Sequence, residues 1–218
     1  MKRTYILFLL LLVVPFFLKA QNNPEKWKNE ISAFENEDLK RAWPENAILF
    51  IGSSSIRFWE DLPQRFPEKK IIKRGFGGSE TSDLNYYFDR IIYKYKPSEV
   101  VIYTGENDIA LSNKSTQTVF NDFKTLIDRI HLKLPKTKII IISLKPSPSR
   151  WAKAEEFKNV NKLLKEYLLK TKFGIFVNVF DDMLKNNGQP RTELFKPDNL
   201  HMNNMGYDIW EKKLKGLL

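Results

Sequence analysis

Short runs of large aliphatic residues, each followed by a longer amphipathic segment, constrain this chain most strongly. Ala47-Ile48-Leu49-Phe50-Ile51 stops at Gly52, and Val100-Val101-Ile102-Tyr103 stops just before Gly105. Lys138–Leu144 carries four consecutive isoleucines, and Ile175–Val179 is another apolar run. A weaker run, Lys70–Lys73, precedes Gly75, Gly77 and Gly78. Continuous apolar runs of this length belong to strands covered on both faces, as in a parallel sheet. Between them, Trp27, Ile31 and Phe34 recur at helical spacing within Pro24–Arg41, and Val119, Phe123, Leu126, Ile127, Ile130 and Leu134 within Ser115–Leu134. Phe157, Val160, Leu164 and Leu168 do so within Ala152–Thr171. Further helices are expected over Ser82–Tyr95, ended by Pro97, and over Asn203–Leu217. The alternation predicts an α/β fold: a three-layer α/β/α sandwich around a mostly parallel five-stranded sheet. Residues 21–218 are read as one domain, a size that supports one substantial core.

The first twenty residues read differently. Lys2 and Arg3 precede an apolar run from Tyr5 to Leu18, broken only by Pro15, and Lys19-Ala20 leads into Gln21-Asn22-Asn23. A basic head, an apolar stretch and a small residue at the exit predict a signal peptide over 1–20 and export to the periplasm or medium. The run falls short of the roughly 20 residues of a bilayer span, so no stable membrane span is expected after cleavage. An uncleaved anchor is the alternative. The 36 Lys and Arg against 26 Asp and Glu give a net charge of +10. They are scattered along helical faces, which predicts a solvated basic surface and no nucleic-acid partner. With no Cys, thiol chemistry and thiolate-held metals are excluded; two His cannot build a three-His metal site. Neither cofactor nor metal is expected.

In open parallel sheets, ligands gather where strands end. Gly52-Ser53-Ser54-Ser55 follows the first strand, where a turn into a helix can expose a serine hydroxyl. Gly75-Phe76-Gly77-Gly78 follows the second, where glycines let a backbone N–H approach a ligand. Gly105-Glu106-Asn107-Asp108 follows the third, with an amide able to donate to an oxyanion. Asp198-Asn199-Leu200-His201 precedes the last helix, and a carboxylate three residues before a histidine can fix its tautomer. Alone, each segment also reads as a cap or a turn. Together they supply a nucleophile, oxyanion donors and a base with its orienting acid. His131, in a Lys-rich helix away from any strand end, reads as solvated.

On these four segments the chain resembles the SGNH-hydrolase superfamily, the GDSL esterases and lipases. The resemblance spans Gly52 to His201. It implies Ser54 as nucleophile, Gly78 and Asn107 as oxyanion donors beside the Ser54 N–H, and Asp198 and His201 as the remaining triad members. The family's Gly-Asp-Ser falls on Gly52-Ser53-Ser54, so Ser53 replaces the usual Asp, and Ser53 and Ser55 are the alternatives in register. Lys73 and Arg74 stand where the family often has an Asn before the glycine.

The implied activity is hydrolysis of carboxylic esters through an acyl-enzyme. The substrate is a small-molecule or glycan ester, with acetyl groups on carbohydrate favoured. A lysophospholipase or thioesterase, or a non-catalytic glycan-binding module, are the alternatives. Trp59, Arg150 and Trp151 are expected to contact substrate. The oligomeric state is not encoded in any readable feature.

Overall fold

The computed structural model describes residues 23–40 and 42–218, so the expected signal peptide lies outside the described residues. Five strands, β1 (Ile48–Gly52), β2 (Ile71–Gly75), β3 (Glu99–Tyr103), β4 (Lys138–Ile142) and β5 (Gly174–Val177), form one sheet in the order β2-β1-β3-β4-β5. Every pairing is parallel, with Gly52 opposite Gly75 on one side and Tyr103 on the other. The order reverses at β1, which places a crevice between the carboxyl ends of β1 and β3.

Alternation along the strands divides the core in two. Leu49, Ile51, Val100, Ile102, Ile139 and Ile141 point to one face. There they meet α1 (Lys28–Lys40), α4 (Thr81–Tyr86), α5 (Phe88–Ile91), α7 (Thr116–Lys133) and α8 (Ala154–Thr171). Phe50, Val101, Tyr103, Ile140 and Ile142 point to the other face. They are covered by α2 (Ser54–Arg57), α3 (Leu62–Arg65) and α9 (Asn204–Leu214). The remaining helix, α6 (Glu106–Ala110), is a single turn at the end of β3. The long helices begin where the sequence supplies caps: the Ser115 side chain accepts from the Thr118 N–H at 3.1 Å, and Asn203 from Gly206 at 3.3 Å.

One helix differs from its sequence expectation. Ser82–Tyr95 is broken into α4, α5 and a 3₁₀ turn, Tyr93–Tyr95, with non-helical backbone at Tyr87 and Ile92. Leu84, Tyr87, Phe88, Ile91 and Ile92 are all buried. They recur at i, i+3, i+4, i+7 and i+8, the spacing of one helical stripe, and the breaks at Tyr87 and Ile92 leave that stripe on the core.

β1 ends under a tight backbone constraint. Gly52 sits at φ +139°, and a Cβ there would lie 1.8 Å from the Tyr103 carbonyl oxygen. The same oxygen accepts the Ser53 N–H at 3.0 Å, so it cannot move aside. Gly52→Ala is expected to cost about 3 kcal/mol. Thermal unfolding should show it as a Tm lowered by roughly 6–12 °C. An unchanged Tm would contradict this account of the turn.

Candidate active site

The turn after β1 carries Ser54 at the first position of α2, half-buried, while Ser53 and Ser55 are 4% and 1% exposed. That difference decides among the three serines, because only Ser54 reaches an imidazole: its Oγ lies 3.0 Å from His201 Nε2. His201 Nδ1 lies 2.6 Å from Asp198 Oδ2, while Asp198 Oδ1 accepts the Leu200 and His201 N–H groups at 2.9 Å each. With the carboxylate accepting the hydrogen bond of Nδ1–H, the Nε2 lone pair faces the serine.

The loop holding this pair is built locally. Asn199 adopts φ +54°, the Lys196 N–H donates to the His201 carbonyl at 2.7 Å, and Phe195 bridges Met202. Phe58 meets the His201 ring edge-on at 4.9 Å between centroids. Partial burial works against the Asp198 charge, but hydrogen bonds from His201 and the two N–H groups outweigh it and hold the carboxyl at about 2, below the usual 3.8.

The second and third segments meet beside it. Gly78 adopts φ +77°, and a Cβ there would press on Trp27 at 3.2 Å. Trp27 is anchored by its Nε1 donating to Asp83 at 2.9 Å. Among the described residues neither the Ser54 nor the Gly78 N–H has an acceptor. The Asn107 amide, 4% exposed, donates one hydrogen to the Ser79 carbonyl at 2.8 Å, which sets it next to Gly78. Asp108 is fully buried and accepts the Thr81 N–H at 3.0 Å and Lys114 at 2.9 Å, tying this turn to α4.

Beneath Asn107 lies a buried polar network that sequence reasoning missed. Glu106 accepts from the Tyr103 hydroxyl at 2.6 Å, Lys145 Nζ at 2.5 Å and the Ser147 hydroxyl at 2.8 Å. Burial opposes its charge. The Lys145 and Arg150 cations overcome that penalty and hold the carboxyl below its usual value. The signal in the sequence was a Lys directly after a buried strand, which needs an acidic partner.

Of the three residues expected at the substrate, Trp59 takes another place. Trp59 has no exposure and packs among Phe50, Phe66, Tyr207 and Trp210, so it contacts no substrate. That correction follows from α2 being one turn long, which brings Trp59 back over the sheet. Arg150 donates to Asn107 Oδ1 at 2.8 Å. Trp151 is half-buried and stacks on Phe180 at 6.4 Å. His131 is also half-buried rather than solvated, stacked on Phe173 at 3.8 Å. Among the described residues no three His, Asp or Glu side chains are grouped to hold a metal ion. None of the described helices is long and apolar enough to cross a membrane.

A serine, an imidazole and a carboxylate in hydrogen-bonded sequence, with N–H donors gathered beside the serine, equip the crevice for acyl transfer. The chain belongs to the GDSL-like lipase/acylhydrolase family, whose model matches residues 50–209, and it is a hydrolase of that family. No curated protein sequence matches it. Among solved structures it is similar to a Streptococcus pneumonia protein provisionally named a platelet activating factor. The identity is 25% and the TM-score 0.77, over 88% of this chain and 92% of the other. A GDSL-like lipase from Bacteroides thetaiotaomicron is 24% identical with a TM-score of 0.73, over 85% and 95%. A family 3 carbohydrate esterase from Clostridium thermocellum shares the fold at 16% identity and a TM-score of 0.63, over 80% and 97%.

Two predictions follow from this geometry. Ser54→Ala should lose essentially all ester turnover, a drop of about 10⁶-fold, while Ser53→Ala and Ser55→Ala keep turnover wherever they fold. Full activity in Ser54→Ala would displace the nucleophile. For pH, the carboxyl of Asp198 titrates lower folded than unfolded, so its contribution is complete above about pH 4 and lost only as pH falls toward 2. A plot of log kcat/KM between pH 4 and 8 should therefore carry no limb from Asp198. A two-proton slope in that window would mean that Asp198 titrates there.

Proposed function

We propose that this chain is an exported serine esterase that removes short acyl groups, acetyl foremost, from carbohydrate. The observation that carries the hydrolytic part is the unbroken line from Ser54 Oγ through His201 to Asp198, with His201 Nε2 3.0 Å from the hydroxyl. His201 takes the serine proton as Oγ attacks the acyl carbon, and Asp198 stabilises the imidazolium that results. The Ser54 and Gly78 N–H groups and the second hydrogen of the Asn107 amide receive the oxyanion. Loss of one such donor typically costs about 100- to 1,000-fold in kcat. The imidazolium protonates the leaving alcohol, and His201 then activates water to release the acid.

The substrate reading rests on the surroundings of the triad. Beside Phe58 lies a depression of about 240 Å³ bordered by Glu60, Asp61, Lys196 and Asn204, a surface suited to a hydroxylated alcohol more than to a lipid tail. The same fold houses a carbohydrate esterase in Clostridium thermocellum. Export rests on the basic head and apolar run before Gln21.

The test is a p-nitrophenyl ester series from acetate to decanoate on protein starting at Gln21, followed by O-acetylated glycans. kcat/KM is expected to be highest for acetate and to fall steadily with chain length. An optimum at octanoate or longer would move the substrate to lipids. Glycan binding without turnover would replace the enzyme by a binding module.

A further inference from the structure

The Asn107 amide can stand in its site in two ways, and only one is useful for an oxyanion. With Nδ2 toward the cleft it donates; flipped about its last torsion it presents a carbonyl oxygen, which repels a developing negative charge. An accepting carbonyl at the Nδ2 end and a donor-only group at the Oδ1 end fix the first orientation from both sides.

Arg150 is that donor-only group. Its Nη2 lies 2.8 Å from Asn107 Oδ1, and a guanidinium has no acceptor to offer a flipped amide. On the other end, Asn107 Nδ2 spends one hydrogen on the Ser79 carbonyl at 2.8 Å. Its second hydrogen has no acceptor among the described residues. We propose that Arg150 is a positioning residue that locks the Asn107 amide with its free N–H toward the cleft and strengthens that donor through its charge. The proposal rests on the reading of Asn107 as an oxyanion donor.

The support for Arg150 is itself built. The Arg150 N–H donates to the Ser147 carbonyl at 3.0 Å, and the Ser147 hydroxyl donates to buried Glu106 at 2.8 Å, one residue from Asn107. Ser149 N–H donates to the Asn199 carbonyl at 3.0 Å, within the segment that carries Asp198 and His201. The turn is thus fixed to the oxyanion side and to the histidine side at once. A cation bonded to one end of an amide polarises it and makes its N–H a stronger donor. Because the interaction gains most as the oxyanion forms, its loss should appear in kcat rather than in KM.

The experiment is a double-mutant cycle on the full domain with p-nitrophenyl acetate. It uses Arg150→Ala, Asn107→Ala and the double variant, with Arg150→Lys as the conservative change and Tm as the folding control. A parallel readout is the rate at which a fluorophosphonate labels Ser54, which needs the same nucleophile and oxyanion donors. Arg150→Ala is expected to lower kcat by roughly 10- to 100-fold, the range of coupling between contacting residues. KM should stay within about three-fold. Arg150→Lys should recover part of the loss, since an ammonium also only donates. The double variant should be no slower than Asn107→Ala alone. If the two losses multiply, or Arg150→Ala raises KM and spares kcat, the proposal is overturned and Arg150 is a substrate contact. Should Arg150→Ala fail to fold, the cycle is run with Arg150→Met, and kcat and labelling rate both equal to wild type in that variant would also overturn it. A wild-type protein that neither turns over ester nor takes the label would remove the esterase reading instead, an outcome distinct from an active enzyme indifferent to Arg150.

Discussion

At the end of β1 the chain passes so close to the Tyr103 carbonyl that only a residue without a side chain fits, and much of the crevice hangs on that approach. The oxygen that excludes a Cβ at Gly52 also receives the Ser53 N–H, which turns the chain sharply and leaves Ser54 at the start of a helix. The Gly52 carbonyl in turn receives the Phe76 N–H at 3.0 Å and the Ser79 hydroxyl at 3.3 Å. One glycine therefore registers the nucleophile turn against the loop that carries Gly78 and the Ser79 carbonyl that holds Asn107. The parallel pairing of Gly52 with both Gly75 and Tyr103 is what brings these three strand ends level.

The second organising element is a charge placed where charge is costly. Glu106 and Lys145 are nearly without exposure, and such a pair contributes little net stability against an apolar replacement. Its value lies in direction. Tyr103, Lys145 and Ser147 approach Glu106 from β3 and from the segment after β4, so the end of β4 cannot drift relative to the turn that bears Asn107. Removing one partner would leave the other charge buried alone, a penalty of several kcal/mol that keeps the network all-or-none. The open parts of the site have no buried charge pair: Asp198 and His201 keep 48% and 21% side-chain exposure, and their segment is held by its own turn, the Phe195–Met202 bridge and the Ser149 N–H on the Asn199 carbonyl.

The sheet was readable because strands buried on both faces leave unbroken apolar runs, and the helices because their inward stripes repeat over many turns. Ser82–Tyr95 misled because Leu84, Tyr87, Phe88, Ile91 and Ile92 keep the spacing of one helical stripe, and that periodicity does not register the backbone breaks at Tyr87 and Ile92. The four site segments were legible through type and spacing, yet the triple serine could not be resolved without burial: Ser53 and Ser55 differ from Ser54 only in which way the turn aims them. Trp59, Arg150 and Trp151 were placed near the crevice by position along the chain, and position carries no information on orientation. The ties that matter most, Arg150 to Asn107 and Glu106 to Lys145, join residues about 40 apart and leave no local pattern.

The Asn107 turn and the depression beside Phe58 are mechanically separate in this domain. The turn that bears Asn107 is cross-braced through Tyr103, Glu106, Lys145, Ser147 and Arg150. Glu60, Lys196 and Asn204, by contrast, project around the depression beside Phe58 with no side-chain hydrogen bond into that brace. Drift at those three positions changes the shape and charge that an alcohol meets while leaving the reacting atoms in register. On the proposed esterase reading, a lineage built on this scaffold is free to trade one ester alcohol for another by surface substitution, and a designer has the same freedom.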